Sequence, residues 1–426
     1  MHIRNLTLAG FRCAQRLELE LHGNLNVFVG MNGAGKTSIV DASAILLSWL
    51  VNRIIRAGSA GKLIVEAAIR NGEPYASLGI VLNHEGAAWS WKLAKARKGH
   101  DSENSVSVLV AVSELARQFR SAITDSAENV NLPLFACYPV NRAVVDTPLR
   151  LKGKQGLDLL SAYAGALSGG ADFRTFFQWF REREDLENEV RRDAQSRVAD
   201  TSGACFPDVQ LQAVRNALSS FMPEFNNLTV RRNPLRMEVE KEGKRLMINQ
   251  LSDGEKCLMA LIGDMARRMA ILNPLRANPL EGEGIILIDE IDLHLHPKWQ
   301  RMVILNLVRV FPNCQFLITT HSPHIITHVK PENLFLLSMT AEGLASIPAS
   351  ECYGKTVERV LEDLMGLETT RPDAVQNDLG KIYETIDSND LETARELIGK
   401  LEKQIGEDSD LVKANVLIKR KELIGK

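Results

Sequence analysis

Residues 30–37 read GMNGAGKT, and every other feature of the chain has to be squared with that octet. It fits G-x-x-x-x-G-K-T in the setting the motif requires, with the apolar run NVFV before it and a helical pattern from about Thr37 to Ile55 after it. Gly30, Gly33 and Gly35 allow the backbone to wrap tightly, so that successive N–H groups converge on phosphate oxygens. The helix N-terminus adds further donors and a partial positive charge. Asn32, Gly33, Ala34, Gly35, Lys36, Thr37 and Ser38 are therefore expected to cradle a nucleoside triphosphate. Lys36 is expected to reach the β- and γ-phosphates, and the Thr37 hydroxyl to hold Mg²⁺. The octet alone specifies neither the reaction nor its purpose.

A second stretch, GIILIDEIDLHLHP at 284–297, supplies what the loop lacks. Ile285 to Ile288 read as a central parallel strand that ends in two adjacent acids. Asp289 is expected beside Mg²⁺. Glu290 is expected to orient and polarise the attacking water, which must lose a proton as it approaches in line. Such a pair after an apolar strand also fits a surface turn, but GMNGAGKT upstream argues for the catalytic role. LSDGEK at 251–256 has the pattern of a capping box, with Ser252 and Glu255 three apart before a helical stretch. The same geometry makes the Ser252 hydroxyl, Gly254 and the helix N-terminus a second anion-binding surface. His321, in ITTHSP, follows a strand (QFLIT) expected beside IILIDE. Its neutral imidazole would emerge near the γ-phosphate, able to hydrogen-bond phosphate or water.

The composition narrows the setting. At 426 residues, 45% apolar and 24% charged, the chain can bury a large core and has room for two or three domains. A formal charge of −2 gives no global attraction for nucleic acid or membrane, although a local basic face would suffice for DNA contact. The longest apolar run, AILLSWLV at 44–51, is too short to span a bilayer and reads as a buried helix. MHIRNLTLAG lacks the apolar core of a signal peptide. Cys13, Cys137, Cys205, Cys257, Cys314 and Cys352 are scattered without a close pair, which fits reduced thiols in a cytoplasmic protein.

Strands are expected over the first thirty residues, then at 63–70, 75–82, 105–112 and 132–138. A helical insertion is expected at 155–225, its charge-rich middle (REREDLENEVRR) read as a solvated face or, alternatively, as an arm that touches a partner or DNA. Strands resume at 228–248. A helix at about 254–271, strands at 285–289 and 314–320, a helix at 298–309 and a strand pair at 334–347 follow, implying a βαβ core. From Glu351 onward apolar residues recur at three- and four-residue steps, with DSND as a turn between two helices.

With these motifs in order, the chain resembles the ABC-type ATPase superfamily in the branch of SMC, Rad50 and RecF proteins. GMNGAGKT looks like Walker A, LSDGEK like the signature, IILIDE like Walker B, IDLHLHP like the D-loop and THSP like the switch histidine. The resemblance implies an α/β P-loop head of ABC type over residues 1–345, with mixed sheets, the 155–225 insertion, and a C-terminal helical domain at 351–426 for partner docking. It implies a homodimer with two ATPs sandwiched between heads, Ser252 and Gly254 serving the neighbour's ATP. Phe11-Arg12 resembles the element whose arginine lies near nucleotide. Asp253 stands where many signatures carry glycine, and Glu255-Lys256 argues against a transporter. No glutamine is an obvious Q-loop residue; Gln118 and Gln155 are the candidates.

More narrowly, YPVNRAV at 138–144, LHLHPKWQ at 293–300, THSPHII at 320–326 and the YGKTVERVLEDLMG tail are similar to PtuA-like ATPases of anti-phage Septu systems and some retrons. That likeness implies an HNH-type nuclease partner and, in the retron form, a reverse transcriptase with its RNA-linked DNA. Tyr138 and Arg142 lie in this stretch without a derivable role. The alternative function is an SMC/RecF-like ATPase of DNA repair or chromosome maintenance. Zinc binding by the clustered histidines, a nuclease within the chain and a degraded scaffold are disfavoured. The spacing lacks cysteine, residues 351–426 show no acid-tipped strand, and Lys36, Asp289, Glu290 and His321 are all intact.

Overall fold

A computed structural model describes residues 1–100, 105–126, 129–140, 158–171, 173–196, 207–340, 343–349 and 352–424. Arg142, Gln155 and Cys205 lie outside them. Two units divide the chain, Met1–Lys355 and Thr356–Lys426. The boundary falls a few residues past 351 because Cys352 and Gly354 hydrogen-bond to Val329 and Thr327 of the first unit.

The first unit opens with β1 (His2–Phe11) and β2 (Ala14–Glu20), which pair antiparallel around a turn at Arg12 and Cys13. Then β3 (Leu25–Val29), wholly buried, runs into the loop, and α1 (Lys36–Ile55) leaves it. This helix is long and apolar enough to cross a membrane, but its apolar surface is buried in the unit, against both neighbouring sheets. Next, β4 (Tyr75–His84) and β5 (Ala87–Ala96) complete an antiparallel sheet in the order β2-β1-β4-β5. Alternation sets the inner face of β4, where Ala76, Leu78, Ile80 and Leu82 point inward.

Two expected strands are absent here. Residues 63–70 hold a short 3₁₀ turn, Glu66–Ala68, and a single bridge from Ile69 to Phe11, with the preceding Lys62 tied to α1 through Ser48 and Trp49. Instead of a strand over 105–112, α2 (Val110–Asp125) begins, preceded by a single bridge from Val108 to Lys92. Val112, Leu115, Ala116 and Phe119 are its buried stripe, so helical periodicity overrides the β-branched composition.

The core sheet then gains β6 (Leu134–Tyr138). Two helices follow, α3 (Phe173–Ser196) and α4 (Val209–Phe221). The charge-rich middle of α3 is not simply solvated: Glu184 and Glu187 are buried and pair with Arg232 and Arg215. A three-stranded antiparallel sheet comes next, built from β7 (Phe225–Arg232), β8 (Leu235–Lys241) and β9 (Lys244–Met247). The remaining elements are α5 (Asp253–Leu272), β10 (Gly284–Ile288), α6 (Pro297–Val310) and β11 (Cys314–Thr320). A one-turn α7 (Pro323–Ile326) precedes β12 (Leu334–Thr340) and β13 (Gly343–Pro348). The six-stranded sheet runs β13-β12-β3-β11-β10-β6, parallel from β12 to β6 and antiparallel only at β13. Every residue of β3, β6, β10 and β11 is buried, as expected of strands covered on both faces.

In the second unit α8 (Val357–Asp363) precedes α9 (Asp373–Asp387), α10 (Leu391–Ile405) and α11 (Ser409–Ile424). Its core is a small apolar cluster that includes Leu379, Ile382, Ile386, Ile398, Leu401, Leu411 and Ile418. Asp408 and Asp410 stand at the start of α11, and Arg371 clamps both, at 3.0 and 2.7 Å.

Candidate nucleotide site

Parallel strands present their C-terminal ends on one edge, and this edge collects the loop after β3, the acids after β10 and the histidine after β11. Gly35 adopts a left-handed φ of 86° to start α1, and a side chain there would run into Cys13 and Leu344. The β1–β2 turn therefore lies against the loop. Ser38 is buried and lies 3.6 Å from Cys13 Sγ, whereas Asn32, Gly33 and Thr37 face solvent and Ala34 is buried. Arg12, in that same turn, pairs with Asp41 on the second turn of α1 at 2.7 Å.

Lys36 is buried, and its ammonium donates to the carbonyls of Gly30 (2.8 Å) and Met31 (3.1 Å). Burial pushes its pKa down, while Glu290, Asp289 and Asp292 act in the opposite direction. Nζ also lies 3.4 Å from His321 Nδ1, and His321 Nε2 lies 3.8 Å from a Glu290 carboxylate oxygen. Lysine, histidine and glutamate thus form one continuous string. Burial, and then Lys36, lower the His321 pKa, so the ring is neutral near pH 7.

The acids are held by residues that sequence reasoning passed over. Thr319 donates its hydroxyl to the buried Asp289 carboxylate (2.5 Å) and accepts the Glu290 N–H (2.7 Å). Glu290 itself has a left-handed φ of 47°, unusual for a side-chain-bearing residue and costly unless the surroundings hold it. One residue on, Thr320 donates to Asp292, which also accepts the His321 N–H at 3.3 Å. Gln300 closes the turn by donating to the carbonyl of Leu295 and accepting from Ser322. The signal was present in the paired hydroxyls of ITTHSP, which sit at the strand end beside two carboxylates.

Ser252 and Gly254 stand at the start of α5. Ser252 caps α5: its N–H and hydroxyl both reach Glu255, which Lys241 also engages. Gly254 packs so tightly on the His294 carbonyl that a Cβ would clash with it. Among the described residues no hydrogen bond joins Ser252 or Gly254 to the loop at 30–38. Gln118 is exposed on α2, near His84 and Glu283 at the opposite end of β10, and does not serve this site. Tyr138, by contrast, sits beside it, accepting the Asp289 N–H on its carbonyl at 2.9 Å.

The donor chemistry suits Mg²⁺. An exposed Thr37 hydroxyl and the Asp289 carboxylate are hard oxygen ligands, and Mg²⁺ is ordinarily held by one or two such groups together with substrate phosphates. Among the described residues no group of three or more His, Cys, Asp or Glu forms an all-protein metal cage.

The RecF/RecN/SMC N-terminal domain model matches residues 2–346. The chain belongs to this family. As a RecF/RecN/SMC protein it is an ABC-type P-loop ATPase in fold, and membership implies nucleotide binding. It is 31% identical to the Retron Ec83 probable ATPase of Escherichia coli, over 92% of this chain and 82% of that one. Identity to the Retron Vc95 probable ATPase of Vibrio cholerae serotype O1 biovar El Tor is 28%, over 85% and 78% of the two chains. Septu protein PtuA of Bacillus thuringiensis is 35% identical over a shorter stretch, 28% of this chain and 32% of that one.

Proposed function

We propose that this chain is the ATP-binding and hydrolysing switch subunit of a bacterial anti-phage defence complex and controls a separate HNH-type nuclease. One observation carries the chemistry: Lys36, His321, Glu290 and Asp289 converge at one sheet edge, with contacts of 3.4 Å from Lys36 to His321 and 3.8 Å from His321 to Glu290. The retron ATPase and Septu names of its relatives support the setting. Since the near-full-length likeness is to retron ATPases, the repair or chromosome-maintenance alternative is not favoured.

Lys36 would exchange the Gly30 and Met31 carbonyls for phosphate oxygens of ATP, with residues 32–38 lining the cradle and Arg12 beside it. Thr37 and Asp289 would hold Mg²⁺, which when bound neutralises phosphate charge. Glu290 orients the attacking water and takes its proton as ATP is cleaved to ADP and phosphate. Neutral His321 hydrogen-bonds at the same point and registers the loss of the γ-phosphate. Ser252 and Gly254, which make no hydrogen bond to their own loop among the described residues, complete the site of a second copy, so that ATP joins two heads and hydrolysis releases them. The switch works only because the joined and separate states differ in affinity for ATP. The 155–225 helices and the Thr356–Lys426 unit are the proposed docking surfaces for the nuclease and, in a retron, for a reverse transcriptase with its RNA-linked DNA. DNA contact fits this setting, as does a cytoplasmic location without a membrane partner.

Purification of the tagged full-length chain from its native host tests the assignment. An HNH nuclease is expected to co-purify, and Lys36→Ala is expected to abolish protection from phage in a plaque assay. Recovery of the chain without any nuclease, or full protection by the variant, would contradict it.

A further inference from the structure

Tyr138 ends β6 in register with Ile288, and its two polar groups look in different directions. Its carbonyl accepts the Asp289 N–H at 2.9 Å. Its hydroxyl donates to Asp264 at 3.1 Å. Asp264 lies on α5, the helix capped by Ser252, roughly 16 Å along the axis from the helix start at 1.5 Å per residue. Arg268 and Arg267 also donate to the Asp264 carboxylate, at 2.7 and 2.8 Å, and Arg268 continues to the carbonyls of Ala162 and Ala164. Tyr138, Asp264, Arg267 and Arg268 are 1%, 0%, 3% and 2% exposed.

A buried ionic cluster of this kind contributes little stability over apolar packing of the same volume, but its short, directional, charge-assisted bonds hold the groups that make them in one arrangement. Burial alone would raise the Asp264 pKa, yet Arg268 and Arg267 outweigh it and keep the carboxyl ionised. The tyrosine bond is therefore charge-assisted and stiff. We infer that Tyr138 is a positioning residue that locks α5 to the backbone of Asp289, so that the Ser252 end of the helix and the acids after β10 keep a fixed relation. A shift of α5 as a second copy binds at Ser252 then pulls on the strand end that carries Glu290. This inference rests on the proposed two-copy ATP site.

The test uses the full-length chain carrying Glu290→Gln, with ATP and Mg²⁺, and follows dimer formation by analytical ultracentrifugation. Adding Tyr138→Phe keeps the ring and removes one charge-assisted bond; it is expected to weaken the dimer roughly tenfold while ATP affinity of the single head stays unchanged. Tyr163→Phe is the control. It removes a similarly buried hydroxyl bond, to the Pro133 carbonyl at 2.7 Å, between the two alanines whose carbonyls Arg268 reaches, and leaves the Tyr138–Asp264 bond in place. It should lower the melting temperature comparably and leave dimerisation alone. Equal weakening by both variants, or no weakening by Tyr138→Phe, overturns the inference while the two-copy site stands. If the Glu290→Gln parent itself forms no ATP-dependent dimer, the shared site fails and the inference falls with it.

Discussion

The nucleotide edge of the six-stranded sheet and the helical unit Thr356–Lys426 bury different things. At the sheet edge the buried groups are polar: Lys36, Asp289 and Thr319 are each sealed from solvent and satisfied by one another or by backbone carbonyls. In the helical unit the sealed cluster is wholly apolar, and its ion pairs, such as Arg371 with Asp408 and Asp410, lie in the partly exposed layer outside. Buried polar groups cost desolvation energy and are kept where chemistry needs them. An apolar helical core supplies stability and leaves its outer surface to carry whatever specificity the unit has. Substitutions in the two regions should therefore fail in different ways.

The largest expected effect is on stability, in the helical unit. Ile382, fully buried, should cost about 2–5 kcal/mol when replaced by alanine. Thermal unfolding should show this loss while ATP affinity of the first unit is unchanged; a parallel loss of ATP binding would blur the contrast. Next comes Lys36→Ala, which removes charge-assisted phosphate contacts of about 1.5–3 kcal/mol and should weaken ATP binding roughly 10- to 100-fold by titration calorimetry. Native affinity would remove Lys36 from the phosphate site.

Ser252→Ala gives a smaller effect, with two parts that can be separated. Loss of the cap should lower stability by about 1 kcal/mol. Hydrolysis should fall in the dimer while ATP binding to a single copy is spared; normal turnover would refute the shared site. The smallest effect is electrostatic. The folded His321 pKa lies below the ordinary 6.5, so at higher pH the ring is neutral in both states and contributes nothing. As pH falls through 6.5 the unfolded chain takes the proton first, and the folded form loses stability. Any acid limb of the kcat/KM profile due to His321 of the free enzyme should accordingly lie below pH 6.5, and one at or above that value would contradict the neutral ring.

Legibility followed the same division. Short apolar runs such as GIILI and the FLI of CQFLITT read as buried strands, and the P-loop, the acids and the histidine stand at the ends of the strands that carry them. The amphipathic steps of the terminal helices were equally plain. Contacts between distant residues were not. Tyr138 and Asp264 stand 126 positions apart, and nothing local in either segment announces the bond. Gly254 reads as part of a cap, while its fit against His294 depends on how the turn after β10 folds. Residues 105–112 misled because valine favours strands, whereas the helical stripe only becomes visible when the window extends to Phe119.

Steady-state hydrolysis and ATP binding by Glu290→Gln, measured beside the parent chain, test the central claim most directly. Glu290, 3.8 Å from His321 at the strand end, is the group proposed to activate water. The parent should turn ATP over. The variant should bind ATP with the same affinity and lose turnover by roughly 100-fold or more, the scale of a lost general base. Hydrolysis by Glu290→Gln at the parent's rate would contradict the account.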